Sequence, residues 1–189
     1  DMFLSAAVLG CFIPVYNSLV KKDGLSDETD MREADRFASG FLTFIIAVCG
    51  LAALLGIIFA EPLLRLMTAG LETFALAVTL TRMMFPMMIF TGAAYTLVGV
   101  LQSKGSFVAP AMISAISNAG VVIYLAVVNP LLGDKGIYGL AAAYTLAWLI
   151  QLLTLVAPLK KLGFSYRPRL DLKAPPLIKA LKMAPPIMA

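Results

Sequence analysis

Four long stretches of this sequence are apolar and free of charged side chains, and they constrain the fold more than any other feature. They are residues 37–59, 83–101, 107–128 and 137–157. Because a bilayer core about 30 Å thick needs roughly 20 residues of helix, each stretch predicts a membrane-spanning helix. Residues 2–20 resemble the last part of an earlier span, and residues 177–189 an amphipathic entry to a later one. The sequence therefore predicts an all-α, polytopic transmembrane bundle.

The composition argues against a water-soluble fold and against an enzyme. Hydrophobic residues make up 60% of the chain and charged residues 14%, which is more apolar surface than a soluble domain could bury. Histidine is absent, and no phosphate loop, magnesium motif or metal-ligand cluster is present. Cys11 and Cys49 lie inside apolar stretches, where a thiol acts as a small hydrophobic group. We expect no catalysis, no metal and no cofactor.

The start of the chain carries no targeting signal. It begins with Asp1, and no basic segment is followed by a cleavage site, so we expect no signal peptide. We interpret the sequence as a fragment of a longer protein.

The basic residues are divided unequally between the two faces of the predicted bundle. Segments 21–36, 102–106 and 158–182 share one face and hold twelve of the 15 lysines and arginines. The other three are Arg65, Arg82 and Lys135. By the positive-inside rule the first face is cytoplasmic. Basic residues near anionic headgroups explain the net charge of +4, so we expect membrane lipids and no nucleic acid as partners.

Residues 60–82 are too apolar for a solvated loop. Pro62 suits a first helical turn and Gly70 a helix end, so we expect a short helix lying on the outer surface. Small residues at helical spacing predict close packing between helices. They form two sets, which are Gly92, Thr96 and Gly99, and Gly139, Ala143 and Ala147.

Four residues are candidates for function. Asn118 and Gln151 lie well inside apolar stretches, where an amide needs a partner on another helix or a polar ligand in a cavity, and we expect both to be buried. Arg82 stands at the outer mouth of a span, where it can extend to headgroups or bind a phosphate. Pro86 removes a backbone donor and predicts a bend, which is either a static kink or a moving hinge.

Several segments resemble the MurJ/MviN family of the multidrug/oligosaccharidyl-lipid/polysaccharide exporter superfamily. The most specific is LTRMMFP at 80–86, followed by GVLQSKGSFVAPAM at 99–112 and Asn118. The others are AAVLGCFIPVYNSL at 6–19, EADRFASGFL at 33–42, EPLLRLMTAGL at 61–71 and PLKKLGFSYRPRLDL at 158–172. The resemblance covers nearly the whole chain, as helices two to six and the start of seven.

The resemblance implies a flippase that moves lipid II, the undecaprenyl-pyrophosphate-linked peptidoglycan precursor, across the bacterial cytoplasmic (inner) membrane by alternating access of two lobes. Residues 1–157 then belong to the N-terminal lobe, 158–176 form the cytoplasmic link between lobes, and 177–189 begin the second lobe. The family's main ligand-handling residues lie outside this chain. Ser5 stands where the family often has a glutamate, which weakens any transfer of ligand contacts to that helix.

Two alternatives remain open. The chain could belong to a flippase for another lipid-linked polysaccharide unit, or to a membrane scaffold for cell-wall assembly that transports nothing. The sequence identifies no protein partner.

Overall fold

The computed structural model describes residues 2–20, 28–67, 73–168 and 174–188. Within them the chain is helical and contains no strand. The helices are α1 (Met2–Val20), α2 (Glu28–Met67), α3 (Phe74–Met84), α4 (Met87–Ser103), α5 (Val108–Ile123), α6 (Asn129–Leu132), α7 (Gly136–Lys161) and α8 (Pro175–Met188). A π-helical segment, Tyr124–Val128, joins α5 to α6, and a 3-10 turn, Gly133–Lys135, joins α6 to α7. The predicted all-α bundle is confirmed.

Three helical segments of the described chain are long and apolar enough to cross a membrane, namely Met31–Leu66, Phe74–Ser103 and Gly136–Lys161. The remaining predicted span, residues 107–128, is not one regular α-helix. Its helix α5 has 16 residues and continues through the π segment and α6. The interruption has a local cause. Pro130 has no N–H to offer the preceding turn, and a widened π turn accommodates that loss.

The helix α2 is much longer than expected. It runs without a break for 40 residues, or about 60 Å, twice the thickness of a bilayer core. The prediction of a separate surface helix starting near Pro62 is therefore wrong, since residues up to Met67 belong to α2. Pro62 removes one hydrogen bond without ending the helix. Arg65 instead pairs with Glu61 one turn away at 2.6 Å. The predicted end at Gly70 lies outside the described residues.

The buried centre of the bundle is α4, which packs against α1, α2 and α7. Its buried residues are Thr91, Gly92, Ala93, Ala94, Thr96, Leu97, Val98, Gly99, Val100 and Leu101. A side chain at Gly92 would meet Ile45 and Cys49 of α2, and one at Gly99 would meet Phe12 of α1. The predicted packing role of these small residues is confirmed.

Two further contacts complete the bundle. On α7, Gly139 admits the ring of Tyr124, whose hydroxyl donates to the carbonyl of Gly136 at 2.7 Å. The helix α8 is amphipathic as predicted, and it buries Leu177 and Ala180 beside α1. These contacts place α5 and α8 on different sides of the central helix.

Replacing Gly99 with alanine should destabilise the fold. The added methyl would lie 2.7 Å from the ring of Phe12, which is fully buried and cannot move aside without repacking. We expect a loss of about 1–3 kcal/mol of unfolding free energy, measured by thermal unfolding of the full-length protein in detergent. Gly120→Ala is the matched control, because that position faces open space. Equal stability of the two variants would contradict the packing described for α4.

Candidate functional site

A break in the helical path separates α3 from α4 at Phe85 and Pro86. Pro86 has no N–H to donate to the carbonyl of Arg82, so the regular ladder stops there. The chain tightens instead, since Met88 N–H donates to Phe85 O at 3.0 Å and Ile89 N–H to Pro86 O at 3.1 Å. The structure thus shows a break in the helical hydrogen bonding at Pro86, and the bend stays a prediction.

Neighbouring helices hold this break on two sides. The hydroxyl of Thr145, on α7, lies 3.2 Å from the carbonyl of Met83 and 3.1 Å from that of Ala141, so it can donate to either. A side chain from another helix is thus placed where it can satisfy a backbone carbonyl near the proline, as a membrane helix requires. On the opposite side, the ring of Phe85 covers Gly56 of α2 so closely that a methyl there would overlap it.

Arg82 lies next to these contacts. Its side chain is exposed, and its Nε donates to the carbonyl of Ile57 on α2 at 3.2 Å. This bond uses one of the five guanidinium N–H donors, and the side chain is exposed. Arg82 is therefore fixed by backbone on one side and open to a ligand or headgroup on the other.

Gln151 is buried on α7, with 5% of its surface exposed, as predicted. Its Oε1 accepts no hydrogen bond from any residue that the structure describes. A buried carbonyl without a donor costs roughly 1–3 kcal/mol, so this oxygen is a candidate acceptor for a ligand or for a part of the protein outside the described residues.

Asn118 is exposed on α5, so its predicted burial is wrong. Within this chain α5 packs mainly against α7, and Asn118 lies on a face that no neighbouring helix covers. No hydrogen bond or ion pair joins Arg82, Asn118 and Gln151 within the described ranges. Their roles as ligand contacts stay predictions.

A buried ion pair, which the sequence analysis missed, lies at the other end of α4. Lys104 Nζ is 3.1 Å from the carboxylate of Asp35, and the hydroxyl of Tyr16 donates to the same carboxylate at 2.8 Å. The Lys104 side chain is 8% exposed, and its ammonium lies 5.9 Å from the centre of the Phe164 ring. This network connects α1, α2 and α4 with the segment that follows α7.

Two matching helix ends bring these groups together. After α4, Gly105 has φ +78° and Ser106 N–H donates to Leu101 O at 2.8 Å. After α7, Gly163 has φ +77° and Phe164 N–H donates to Leu159 O at 3.0 Å. Both are Schellman motifs, in which glycine takes the left-handed conformation that other residues avoid. They stop both helices at one level, which we call the basic end of the bundle.

The sequence carried a partial signal for this network. Asp35 and Lys104 each stand just outside an uncharged stretch, within two of the family-like segments. Their pairing across 69 positions could not be derived from helix periodicity, which describes only residues on one helix.

Replacing Lys104 with methionine should destabilise the protein. It would leave the Asp35 carboxylate half-buried without its cation, and we expect a loss of about 2–4 kcal/mol in thermal or denaturant unfolding. Adding Asp35→Asn should recover part of that loss, because it removes the uncompensated charge. Lys161→Met, at an exposed position of the same end, is the control. Additive effects of the two substitutions would contradict a direct pair.

Gln151→Leu separates a packing role from a ligand role. Because Oε1 has no donor among the described residues, leucine should leave the melting temperature unchanged or raise it. Transport by the full-length protein should fall if the amide contacts a ligand. A large loss of thermal stability would show instead that Gln151 has a structural partner.

Comparison with known proteins places the whole chain in one group. The family model described as "Lipid II flippase MurJ" matches residues 1–189. The probable lipid II flippase MurJ of Bdellovibrio bacteriovorus is 28% identical over 175 residues, covering 90% of this chain and 32% of the relative. The lipid II flippase MurJ of Burkholderia cenocepacia is 27% identical over 154 residues, covering 79% and 28%. A probable lipid II flippase MurJ from Buchnera aphidicola is 24% identical over 189 residues, covering 98% and 35%. The chain thus spans about a third of the length of these relatives.

Proposed function

The chain belongs to the lipid II flippase MurJ family, and from that membership we propose that it forms the N-terminal lobe of a flippase for lipid II. The observation that carries the proposal is the family match over all 189 residues. The bundle agrees with it, since the described helices include three long enough to cross a membrane. The protein moves its ligand and performs no covalent chemistry.

The parts of the chain take different roles in this proposal. Residues 1–157 supply helices of the lobe, 158–176 form the link between lobes, and 177–189 begin the second lobe. The basic end, with Lys104 and Lys160, faces the cytoplasm, and the protein resides in the bacterial cytoplasmic (inner) membrane. The excess of lysine and arginine at that end supports this orientation.

Arg82, Asn118 and Gln151 act as separate polar contacts along the path of the ligand. Arg82 is exposed and uses only its Nε donor in the bond to Ile57, which suits a pyrophosphate passing the outer mouth of the lobe. Asn118 presents its amide on the uncovered face of α5, where a second lobe or the ligand headgroup can reach it. Gln151 offers a buried acceptor without a donor in the described chain.

Pro86 is the hinge in this proposal. Arg82 and Phe85 hold the break against α2, while the part of α4 beyond it carries the small residues that let helices slide closely. Alternating access needs one part of the bundle to move against another, and a proline break is a place where a membrane helix can bend without losing further hydrogen bonds.

Growth rescue tests the function. The full-length protein should restore growth and outer-leaflet lipid II in bacterial cells depleted of their own lipid II flippase, with membrane expression verified. Rescue of a cell that lacks an O-antigen or capsule-unit flippase, without rescue of the first strain, would favour the alternative substrate. Expression without rescue of either strain would contradict transport and favour a scaffold.

Pro86→Ala tests the hinge in the same cells. Alanine restores the donor to the Arg82 carbonyl and removes a helix-breaking residue, so the protein should remain folded and be at least as stable. We expect transport to be lost or reduced at least tenfold. Normal growth with normal lipid II distribution would leave Pro86 as a static kink.

Selective labelling tests the orientation. Both cysteines of this chain are buried, so new cysteines at exposed positions can be labelled selectively. The substitutions Lys161→Cys and Arg65→Cys place a cysteine at opposite ends of the bundle. A membrane-impermeant maleimide applied to intact cells should label the cysteine at position 65 and leave the one at position 161 unlabelled. The reverse pattern would invert the proposed topology.

A further inference from the structure

Two adjacent cavities lie at the basic end, between α2, α7 and the segment that follows α7. One is polar, has a volume of about 510 Å³ and is lined by Arg32, Arg36, Ser39 and Arg167 among others. The other is an apolar groove of about 630 Å³. The two share Gly163 and Ser165 as a common wall, so a single molecule can occupy both.

The polar cavity carries an excess of positive charge. Of the residues that the structure describes, Arg32, Arg36 and Arg167 line it together with one acidic residue, Asp35. The Asp35 carboxylate already binds Lys104 and the Tyr16 hydroxyl, so its charge is largely compensated. Planar guanidinium groups bind phosphate oxygens in pairs. The cavity therefore suits a phosphate group at the level of the headgroups.

The apolar groove runs away from that cavity along α7. Its floor is formed by Ala93 and Leu97 of α4, and one wall extends from Leu152 to Lys160. Eight residues of helix span about 12 Å, close to the roughly 15 Å hydrocarbon depth of one leaflet. Lys160 stands at the mouth nearest the polar cavity. The groove is therefore close in length to the part of one acyl chain that lies within one leaflet.

The wall between the cavities is held in place by hydrogen bonds. The hydroxyl of Tyr166 lies 2.9 Å from Thr43 Oγ1 on α2, and Arg167 N–H donates to Ser39 Oγ at 3.5 Å. Phe164 is buried beneath Lys104 and fixes the same segment from inside. These contacts hold the segment after α7 against α2 and α4, between the two cavities.

We propose that the two cavities form one binding site for a single anionic glycerophospholipid of the cytoplasmic leaflet. Its phosphate binds Arg36 and Arg167, and one acyl chain lies in the groove against Leu97 and Val156. This lipid is a resident ligand that joins α2 to the segment after α7, and it is distinct from the transported molecule. Binding can be measured without transport, so the failure of one proposal leaves the other intact.

Native mass spectrometry of the full-length protein in detergent tests the site with phosphatidylglycerol as the probe. Phosphatidylglycerol should bind at least tenfold more tightly than phosphatidylcholine of the same chain length. The double variant Arg36→Gln/Arg167→Gln should lose about tenfold in phosphatidylglycerol affinity. The control Arg65→Gln/Lys161→Gln removes the same charge at exposed positions outside both cavities and should bind normally.

A second arm separates a lipid from a free anion and tests the groove. Val156→Phe narrows the groove, so it should weaken phosphatidylglycerol with long acyl chains and leave the protein folded by thermal unfolding. Inorganic phosphate at millimolar concentration should not displace the lipid. The proposal is overturned if both double variants lose affinity equally, if Val156→Phe binds normally, or if inorganic phosphate displaces the lipid.

Discussion

The burial of α4 between α1, α2 and α7 is the contact on which the rest of the bundle depends. Lipid tails are as apolar as leucine, so membrane helices gain little free energy by moving hydrophobic side chains from lipid into a helix interface. Their association depends instead on close packing. Gly92 and Gly99 allow that approach, because a side chain at either position would meet Cys49 of α2 or Phe12 of α1. The helices that carry the candidate sites are positioned through this contact.

Both ends of α4 show how the chain satisfies backbone groups in an apolar environment. At one end Pro86 interrupts the ladder, and the Thr145 hydroxyl of α7 lies within hydrogen-bond distance of the Met83 carbonyl beside the gap. At the other end Gly105 closes the helix with a Schellman motif, which brings Lys104 to Asp35. The proposed hinge and the ion pair thus lie at the two ends of α4, where the regular hydrogen bonding of the helix stops. The proposed lipid site lies beside the ion pair, since Asp35 lines its polar cavity.

Local patterns predicted the helices well and predicted contacts between helices poorly. Uncharged stretches identified the spans and Pro86 identified the break, because both effects act within one segment. Asn118 was expected to be buried, but its exposure depends on which helix covers α5, and nothing within a segment specifies this. The pairing of Asp35 with Lys104 was not predicted for the same reason, since it depends on how α2, α4 and the end of α7 meet.

A cysteine at position 92 tests the packing of α4 most directly. Its Cβ would lie 3.9 Å from the Cβ of Cys49, within the 3.5–4.5 Å range of disulfides. On mild oxidation in membranes, the full-length Gly92→Cys variant should form a disulfide to Cys49, seen as a linked peptide by mass spectrometry, whereas Gly120→Cys should not. A thiol at position 92 that forms no bond to Cys49 and reacts freely with a lipid-soluble maleimide would contradict the buried position of α4.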